Sequence, residues 1–319
     1  MRPLTADDLV EICALINRAQ QADGIAQQLT LAELVEQLTS EAYDLPNRSL
    51  AVLDDAGGIV GFSLVEHRPA AVLGADEQTC HLEGCVDPRW RRQGLGTALL
   101  DWSVEVSTAV LQTLEGDLPK RIRFGTYETI ADIAVIAARA GFVPVRWFEE
   151  LLRPLDDLPQ PATVAGIRVE RWPDGRDEEL RAVKNTAFRD HWGSSLSTAE
   201  EWRTQLHGHT GRLDLSFVAV DEASDEPVAL LVTGRYPDDD ALLGRRDGWV
   251  QTLATLRPWR GRGLGSALIA RALAAYAAAG LTHASIGVDS DNPSGAARLY
   301  RQLGFQLSRR SVVHQLALN

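Results

Sequence analysis

The chain has few cysteines, no long apolar run and no excess of positive charge, and each of these absences excludes a class of protein. Its three cysteines among 319 residues, Cys13, Cys80 and Cys85, are too sparse for a disulfide framework and form no Cys-x-x-Cys pair for zinc. No apolar stretch reaches the roughly 18 residues that a membrane span needs. The sequence therefore favours reduced thiols, no metal site and no membrane insertion.

Charge and the first residues narrow the setting further. The formal net charge of −12 at pH 7 argues against binding to nucleic acid or to an anionic membrane, both of which need a positive surface. Met1 to Val10 contains Asp7 and Asp8 and lacks the basic and apolar regions of a signal peptide. We expect a cytoplasmic protein with no nucleic-acid partner, for which a monomer is plausible.

An internal repeat decides the expected fold. A run of eleven residues from Trp90 to Leu100 recurs from Trp259 to Ile269 with seven identities, which chance does not readily produce. Each copy also ends in Gly-Phe, at Gly141 and at Gly304. A length of 319 residues suits two domains of about 150 residues each.

The segment between the two copies is rich in proline. Residues 153–161 contain three prolines, which favour an extended connection over a helix. We therefore predict an N-terminal domain over residues 1–152, a linker over 153–165 and a C-terminal domain over 166–319. Each copy shows a hairpin pattern (51–65 and 217–233), and 177–188 has a helical pattern, so we predict a mixed α/β fold with helices packed on a sheet.

The repeated run has the form Arg-x-x-Gly-x-Gly and leads directly into a helix. A dinucleotide fingerprint would need a third glycine where Leu99 and Leu268 stand, and the Gly-Lys-Ser/Thr of a P-loop is missing. Glycines allow close backbone approach, and a helix N-terminus offers unpaired N–H groups to a pyrophosphate. The alternative is a tight strand-to-helix turn with solvated arginines.

In this context the motif resembles the acetyl-CoA motif of the GNAT superfamily of acetyltransferases. The second copy is also similar to the superfamily in the strand and loop from Ile286 to Asn292 and in the helix that ends at Gly304-Phe305. The resemblance implies two tandem GNAT-like domains that bind acetyl-CoA (coenzyme A).

The resemblance also implies individual residues. Those expected to contact acetyl-CoA in the second copy are Leu253, Ala254, Thr255, Leu256, Arg260, Gly261, Arg262, Gly263, Leu264, Gly265, Ser266 and Asn292. Their counterparts in the loop of the first copy are Arg91, Arg92, Gln93, Gly94, Leu95, Gly96 and Thr97. Tyr300 is expected to face the thioester sulfur as the group that serves the leaving thiolate.

The two copies differ at the residues expected to do chemistry. Tyr300 precedes Gly304 by four positions, and Ala137 holds the corresponding place before Gly141. Thr129 stands near the place of Asn292. We therefore predict that the C-terminal copy is catalytic and that the N-terminal copy is degenerate, unless Tyr127 substitutes from another position.

An amine must lose a proton before it attacks a thioester, because a primary amine with a pKa near ~10.4 is almost fully protonated at pH 7. Candidates for the base are Asp247, His191 and Glu201. The chain is also similar to tandem members of the superfamily that acetylate a cysteinyl sugar. Those members have a glutamate early in the strand before the second loop, where this chain has Trp249.

These features predict an acetyl-CoA-dependent N-acetyltransferase whose partner is a small-molecule amine acceptor. Two alternatives stay open. One is the acetylation of a cysteinyl sugar precursor, and the other is a non-catalytic acyl-CoA-binding sensor.

Overall fold

The structure is a computed structural model that describes residues 1–39, 42–189, 191–192, 196–291 and 295–318. It contains two compact units. Unit 1 comprises Met1–Trp147 together with the carboxyl-terminal segment from Ser311, and unit 2 comprises Phe148–Arg310.

The first half of the chain supplies six helices and four strands among its described residues. The helices are α1 Leu9–Ala22, α2 Leu31–Leu38, α3 Leu45–Arg48, α4 Ala70–Leu73, α5 Leu95–Gln112 and α6 Ala131–Arg139. The strands are β1 Ser49–Leu53, β2 Ile59–His67, β3 Gln78–Val86 and β4 Lys120–Tyr127.

The second half repeats this order after one long strand. Its strands are β5 Val143–Pro154, β6 Ile167–Arg171, β7 Phe217–Asp221, β8 Pro227–Gly234, β9 Asp247–Thr255, β10 His283–Asp289 and β11 Gln306–Leu318. Its helices are α7 Asp177–Ala187, α8 Ala199–His207, α9 Asp240–Leu243, α10 Leu264–Ala278 and α11 Ala296–Gln302.

Each unit is built on a mixed sheet. The strand order in unit 1 is β1-β2-β3-β4-β11, with β3 and β4 parallel and the other pairs antiparallel. The order in unit 2 is β5-β10-β9-β8-β7-β6, with β9 and β10 parallel and the other pairs antiparallel. The repeated order confirms the duplication and the mixed α/β plan.

Both units take their last strand from the opposite sequence copy. Ser311 to Leu318 of β11 pair with Tyr127 to Lys120 of β4 in unit 1. Phe148 to Pro154 of β5 pair with Asp289 to His283 of β10 in unit 2. The proline-rich segment 153–165 begins inside β5 and leads to β6. The order of elements along the chain therefore does not show that β5 pairs in unit 2 and β11 in unit 1.

Helices cover both faces of each sheet. In unit 2, α10 and α11 bury Leu268, Leu273 and Tyr300 against β9 and β10, while α7 and α8 bury Leu180 and Trp202 on the other face. In unit 1, α1 and α2 form the corresponding layer with Ile12 and Leu34, opposite α5 and α6. Both predicted hairpins are present as β1–β2 and β7–β8, and the predicted helix over 177–188 is α7.

Among the described residues, no helix is both long and apolar enough to cross a membrane.

The exchange of strands predicts that residues 311–318 protect β4 from hydrogen exchange. Truncation after Arg310 should speed amide hydrogen exchange in residues 124–127 by about tenfold or more, because β3 pairs with β4 only as far as Arg123. Hydrogen-exchange mass spectrometry measures this, with β7 and β8 as the internal control. Unchanged protection of 124–127 in the truncated chain would contradict the assignment of β11 to unit 1.

Candidate active site

The site in unit 2 is centred where two parallel strands separate. The pairing of β9 with β10 runs from Asp247↔His283 to Val250↔Ile286 and stops there. Beyond this point β9 stays paired with β8 as far as Thr255, and β10 stays paired with β5 as far as Asp289. The facing edges of β9 and β10 therefore open into a cleft, and among the described residues the edge of β9 that faces β10 has no strand partner beyond Val250.

A β-bulge lies at the mouth of this cleft. The register between β8 and β9 shifts so that Val232 faces Thr252 while Thr233 faces Val250, which leaves Gln251 as the additional residue. Such a bulge bends its strand and interrupts regular pairing. The bulge therefore lies just where β9 and β10 part.

The glycine loop follows the end of β9. Gly261 and Gly263 adopt left-handed backbone conformations with φ of +76° and +86°, and Gly263 is the residue that caps the start of α10. The first N–H groups of a helix have no partner within the helix, and the dipole makes this end positive. The loop thus leads into a helix start at which the backbone N–H groups of Leu264, Gly265 and Ser266 have no partner within the helix, an arrangement that suits an anion.

Gly265 is required by packing rather than by conformation. A Cβ atom added there would lie 3.2 Å from Leu299 of α11 and 3.8 Å from Leu253 of β9. Its absence lets the start of α10 approach α11 and the end of β9 closely. Three residues expected to meet the cofactor lie at the end of β9 or just after it. Leu253 packs against the apolar cluster that contains α10 and α11, Ala254 is fully buried, and Leu256, which follows β9, packs against the cluster on the α7 and α8 face.

The arginines of the motif make structural contacts. Arg260 donates from Nε to the Thr255 carbonyl (3.1 Å) and from Nη2 to the Ala187 carbonyl (2.6 Å), which ties the loop to β9 and to the end of α7. The Arg262 guanidinium lies 4.6 Å from the centre of the Trp259 ring. A direct role for these side chains toward pyrophosphate stays a prediction.

Tyr300 lies on α11, one residue after Leu299. Its side chain is only 5% exposed and packs edge-on against Phe305, with ring centres 6.1 Å apart. Burial raises the pKa of the Tyr300 phenol above its ordinary value. The hydroxyl is therefore neutral at pH 7 and has a proton that it can donate in a hydrogen bond. Asn292, expected near the same arm, lies outside the described residues.

His191 follows α7 on the opposite face of the sheet. Its ring lies 5.3 Å from that of Phe188, and the Trp192 ring lies 6.4 Å from Phe148. The segment is fastened by Asn185, whose side chain accepts from the Ser197 N–H (2.9 Å) and donates to the Ser197 carbonyl (3.0 Å). Two hydrogen bonds of Asn185 therefore join α7 to Ser197.

Asp247 is the first residue of β9, at the end remote from the loop. Its carboxylate accepts from Arg245 Nε at 3.0 Å and from the Ser285 hydroxyl at 2.8 Å. At about 3.3 Å per residue, Thr255 lies roughly 26 Å farther along the strand. Glu201 accepts from the Thr198 N–H (2.9 Å) and so caps α8. The structure therefore does not bring these two carboxylates to the glycine loop.

Sequence reasoning gave no role to two polar residues at the cleft. Asp289 ends β10, three residues beyond the last residue paired with β9, and is 2% exposed. Gln251 carries the bulge and donates to the Tyr236 hydroxyl at 3.2 Å. Trp249 lies beside Gly287, where an added Cβ would be 3.9 Å from its ring. The sequence signal for Asp289 is an acidic residue directly after an apolar strand pattern. The bulge at Gln251 leaves no signal in the sequence.

The loop of unit 1 repeats this geometry. Gly94 has a φ of +87° and caps α5, and Arg92 takes the left-handed conformation (φ +62°) that Gly261 has in unit 2. Arg91 donates from Nε to the Val86 carbonyl (3.2 Å), five residues earlier, as Arg260 does to Thr255. Its outer nitrogens bind the carboxylate of Asp23 just after α1.

Comparison with known proteins agrees with this geometry. The pattern of the Acetyltransferase (GNAT) family matches residues 14–117 and 178–305, once in each copy. A mycothiol acetyltransferase of Frankia alni is 30% identical over 97% of this chain and 91% of its own length. A mycothiol acetyltransferase of Mycobacterium marinum is 28% identical over 98% of this chain and 95% of its own length.

Solved structures share the fold. A GCN5-related N-acetyltransferase from Sphaerobacter thermophilus superposes with a TM-score of 0.76 at 24% identity, covering 99% of this chain and 94% of its own. A tandem GNAT protein from the clavulanic acid biosynthesis pathway superposes with a TM-score of 0.74 at 18% identity, covering 99% and 97%. Together with the two family matches, these likenesses show that the chain belongs to the acetyltransferase (GNAT) family, as a tandem N-acetyltransferase.

Proposed function

We propose that unit 2 transfers an acetyl group from acetyl-CoA to the primary amine of a small molecule. The observation that carries the proposal is the cleft between β9 and β10, which opens beyond Val250 and is followed by a helix start capped by Gly263. The same strand thus leads from unpaired backbone groups to an anion-binding turn. A thioester attached to a pyrophosphate needs both features.

The residues at this site fit acetyl-CoA, the acetyl donor. Backbone N–H groups of Leu264, Gly265 and Ser266 suit the pyrophosphate. The positive end of the helix dipole attracts this anion, whereas the net charge of −12 repels it. The unpaired edge of β9 near Leu253 suits the amides of the pantetheine arm. Acetyl-CoA supplies the acetyl thioester, whose C–S bond breaks as the amine nitrogen bonds to the carbonyl carbon.

The chain would assist each part of this exchange. A base takes one proton from the acceptor ammonium before attack. Backbone N–H groups at the open edge of β9 stabilise the negative charge that develops on the carbonyl oxygen. Tyr300 donates a hydrogen bond to the departing sulfur. Its raised pKa makes full proton transfer to a thiolate near pKa ~8.5 more unfavourable, so donation rather than ionisation is the proposed role.

The base is proposed from the side chains at or beside the cleft. His191 lies on the α7 side, where Asn185 fixes the segment, and Asp289 ends β10 at the opening. Asp247 stays a prediction that is less direct, since Arg245 and Ser285 already bind its carboxylate.

The acceptor is proposed from the relatives. Whole-length relatives are called mycothiol acetyltransferases, which makes the cysteinyl sugar precursor acetylated by mycothiol synthase the first compound to test. Trp249 argues against this acceptor, because it stands where the enzymes that acetylate the cysteinyl sugar have a glutamate. An indole has only a hydrogen-bond donor and cannot accept a proton from an ammonium. Another small amine is the alternative.

Two further features complete the proposal. Unit 1 is taken to perform no transfer, because the buried Ala137 stands at the place of Tyr300. A cytoplasmic setting is proposed because Cys13, Cys80 and Cys85 form no disulfide with one another.

Binding of acetyl-CoA should depend on Gly263. Gly263→Glu should weaken binding at unit 2 by at least about tenfold, because it places charge and bulk where the pyrophosphate meets the helix start. Gly280→Glu is the matched control, since Gly280 also has a positive φ (+77°) and follows the other end of α10. Calorimetry on both folded variants measures the effect. Equal affinities for the two variants would refute the loop assignment.

Turnover should depend on the hydroxyl of Tyr300. Tyr300→Phe keeps the ring against Phe305 and should lower kcat by roughly 10²-fold, the scale of one acid/base group. Release of free thiol from acetyl-CoA measures turnover, and a wild-type kcat would mean that the leaving group is served otherwise. The same assay identifies the base. Ionisation of a general base makes kcat/KM rise with pH, and this rise should disappear in one of the variants His191→Gln, Asp289→Asn and Asp247→Asn.

The acceptor class is tested by steady-state kinetics on the cysteinyl sugar precursor, simple primary amines and lysine peptides. We expect kcat/KM for a small amine to reach ~10⁴ M⁻¹s⁻¹, the lower end of ordinary enzymes. If the cysteinyl sugar alone reaches this value, the chain is a mycothiol synthase. Activity confined to lysine peptides would overturn both small-molecule acceptors.

A further inference from the structure

In unit 2, the strand β5 contacts α11 through the side chains of one face. Glu149, Leu151 and Arg153 alternate along β5 and therefore point to the same side of the sheet. Leu151 is fully buried in the apolar cluster that also contains Tyr300, so this side is the one that α11 covers. The two charged side chains flank Leu151, and both of them reach α11.

Glu149 binds the turn of α11 that carries Tyr300. Glu149 is 4% exposed, and its carboxylate accepts from Arg301 Nη2 at 3.0 Å and from Arg310 Nη2 at 2.8 Å. Arg301 directly follows Tyr300 in the helix. Each carboxylate oxygen is thus bound by a different guanidinium, and charged hydrogen bonds of this kind are short and directional. The ion pair therefore restrains the helix next to the phenol.

Arg153 binds the other end of the helix. Its guanidinium donates to the carbonyl of Leu303, which caps the C-terminus of α11, and to the carbonyl of Asp157. The last carbonyls of a helix lack partners within it and form the negative end of its dipole, so a cation there is stabilising. Gly304 follows with a φ of +85°, and a Cβ atom at this position would collide with the guanidinium. The glycine thus leaves the space that Arg153 fills.

The helix needs such contacts because it is short and because the phenol makes no polar contact of its own. α11 has seven residues, a length that is marginal for a helix without tertiary contacts. Among the described residues, none forms a hydrogen bond with the Tyr300 hydroxyl, and the ring packs against Phe305. The position of the hydroxyl therefore follows the position of α11.

The matching strand of unit 1 has apolar side chains at these two places. Counted from the Gly-Phe pair before each strand, Val312 of β11 stands at the place of Glu149. Leu316 stands at the place of Arg153 and lies 3.4 Å from where a Cβ atom on Gly141 would be. Leu316 also packs against the apolar cluster of unit 1. β11 therefore has two apolar residues where β5 has an ion pair and a helix cap.

The helix of unit 1 differs from α11 in the same way. Ala137 of α6 stands at the place of Tyr300. Ala138, the next residue, stands at the place of Arg301. The copy with the phenol thus has all three charged side chains, and the copy without it has apolar residues at all three places. These charges accompany the phenol and not the fold, which both units share.

We propose that Glu149 and Arg153 are positioning residues for Tyr300 in the transfer reaction. β5, whose sequence belongs to the first copy, holds α11 at the turn that carries the phenol and at the C-terminal end of the helix. The hydroxyl consequently keeps one position toward the departing sulfur. This role rests on the proposed function, in which Tyr300 donates a hydrogen bond to that sulfur.

The test is a double-mutant cycle on kcat with Glu149→Gln and Tyr300→Phe. Glu149→Gln should lower kcat at least about tenfold, because a displacement of about 1 Å can cost a reaction up to ~10²-fold. KM for acetyl-CoA should stay within about twofold, since the glycine loop precedes a different helix, α10. In the Tyr300→Phe background, Glu149→Gln should lower kcat by less than about twofold more, because the hydroxyl that it positions is gone.

Glu170→Gln is the matched control. Glu170 also lies on a strand of unit 2 and accepts from an arginine, Arg168, at 2.7 Å. Its strand β6 is at the opposite edge of the sheet from β5. The substitution therefore removes a comparable carboxylate far from α11 and should leave kcat unchanged.

Two further variants keep the test open if Glu149→Gln does not fold. Arg301→Gln breaks the ion pair from the helix side, where the arginine side chain is 61% exposed and Arg310 still binds the carboxylate. Arg153→Leu introduces the residue type that unit 1 has at the matching place. Both variants should lower kcat, and both effects should be lost in the Tyr300→Phe background.

Hydrogen exchange tests the hold on α11 without turnover. Amides of residues 300–305 should exchange several-fold faster in folded Glu149→Gln than in the wild type, whereas those of α10 should not change. Circular dichroism confirms that each variant is folded.

The positioning role is overturned if these amides exchange as in the wild type, or if the folded variants keep the wild-type kcat. It is also overturned if Glu149→Gln lowers kcat equally with and without the Tyr300 hydroxyl. A wild-type kcat in Tyr300→Phe would refute the proposed role of Tyr300 itself. A lowered kcat in Tyr300→Phe beside a wild-type kcat in Glu149→Gln would refute the positioning role alone.

Discussion

The structure depends on the point where two parallel strands stop pairing. In unit 2 the ladder between β9 and β10 ends at Val250↔Ile286, and in unit 1 the ladder between β3 and β4 ends at His81↔Arg123. Backbone N–H and C=O groups that lose a strand partner need another one. A bound molecule with amides can supply it, which makes the separation a reason for the fold to bind an elongated ligand. The antiparallel partners β8 and β5 hold the two edges of this cleft apart in unit 2.

The second constraint is the connection between the strand end and the helix that follows. Arg260 and Arg91 donate to the carbonyl five residues earlier, and each reaches an acceptor at the end of the first long helix of its copy. These contacts fix the turn before any ligand arrives. A preformed turn costs less ordering on binding than a mobile one. The motif arginines thus have a structural reason to recur that is separate from the charge of a phosphate.

Much of the fold could be predicted because its signals are local. The glycine turn that leads into a helix and the β-hairpin are properties of short segments, and each occurs in both copies. The exchange of β5 and β11 could not be predicted, because both strands follow their own Gly-Phe and only long-range pairing selects the partner. The bulge at Gln251 depends on the register against β8, which no periodicity of β9 alone contains. For the same reason Asp247 was a natural candidate for a base from chain position, although Arg245 and Ser285 hold its carboxylate at the remote end of β9.

The two copies have diverged in complementary ways. Glu83 precedes Trp90 by seven residues, and Thr252 precedes Trp259 by the same number, so the carboxylate of β3 corresponds to a hydroxyl on β9 that Gln205 binds at 3.0 Å. In the other direction, the buried Tyr300 corresponds to the buried Ala137. At these two positions unit 1 therefore has a carboxylate and no phenol, whereas unit 2 has a phenol and no carboxylate. Under the proposed mechanism, unit 2 has no carboxylate at the place of Glu83, so its base has to come from a side chain at another position.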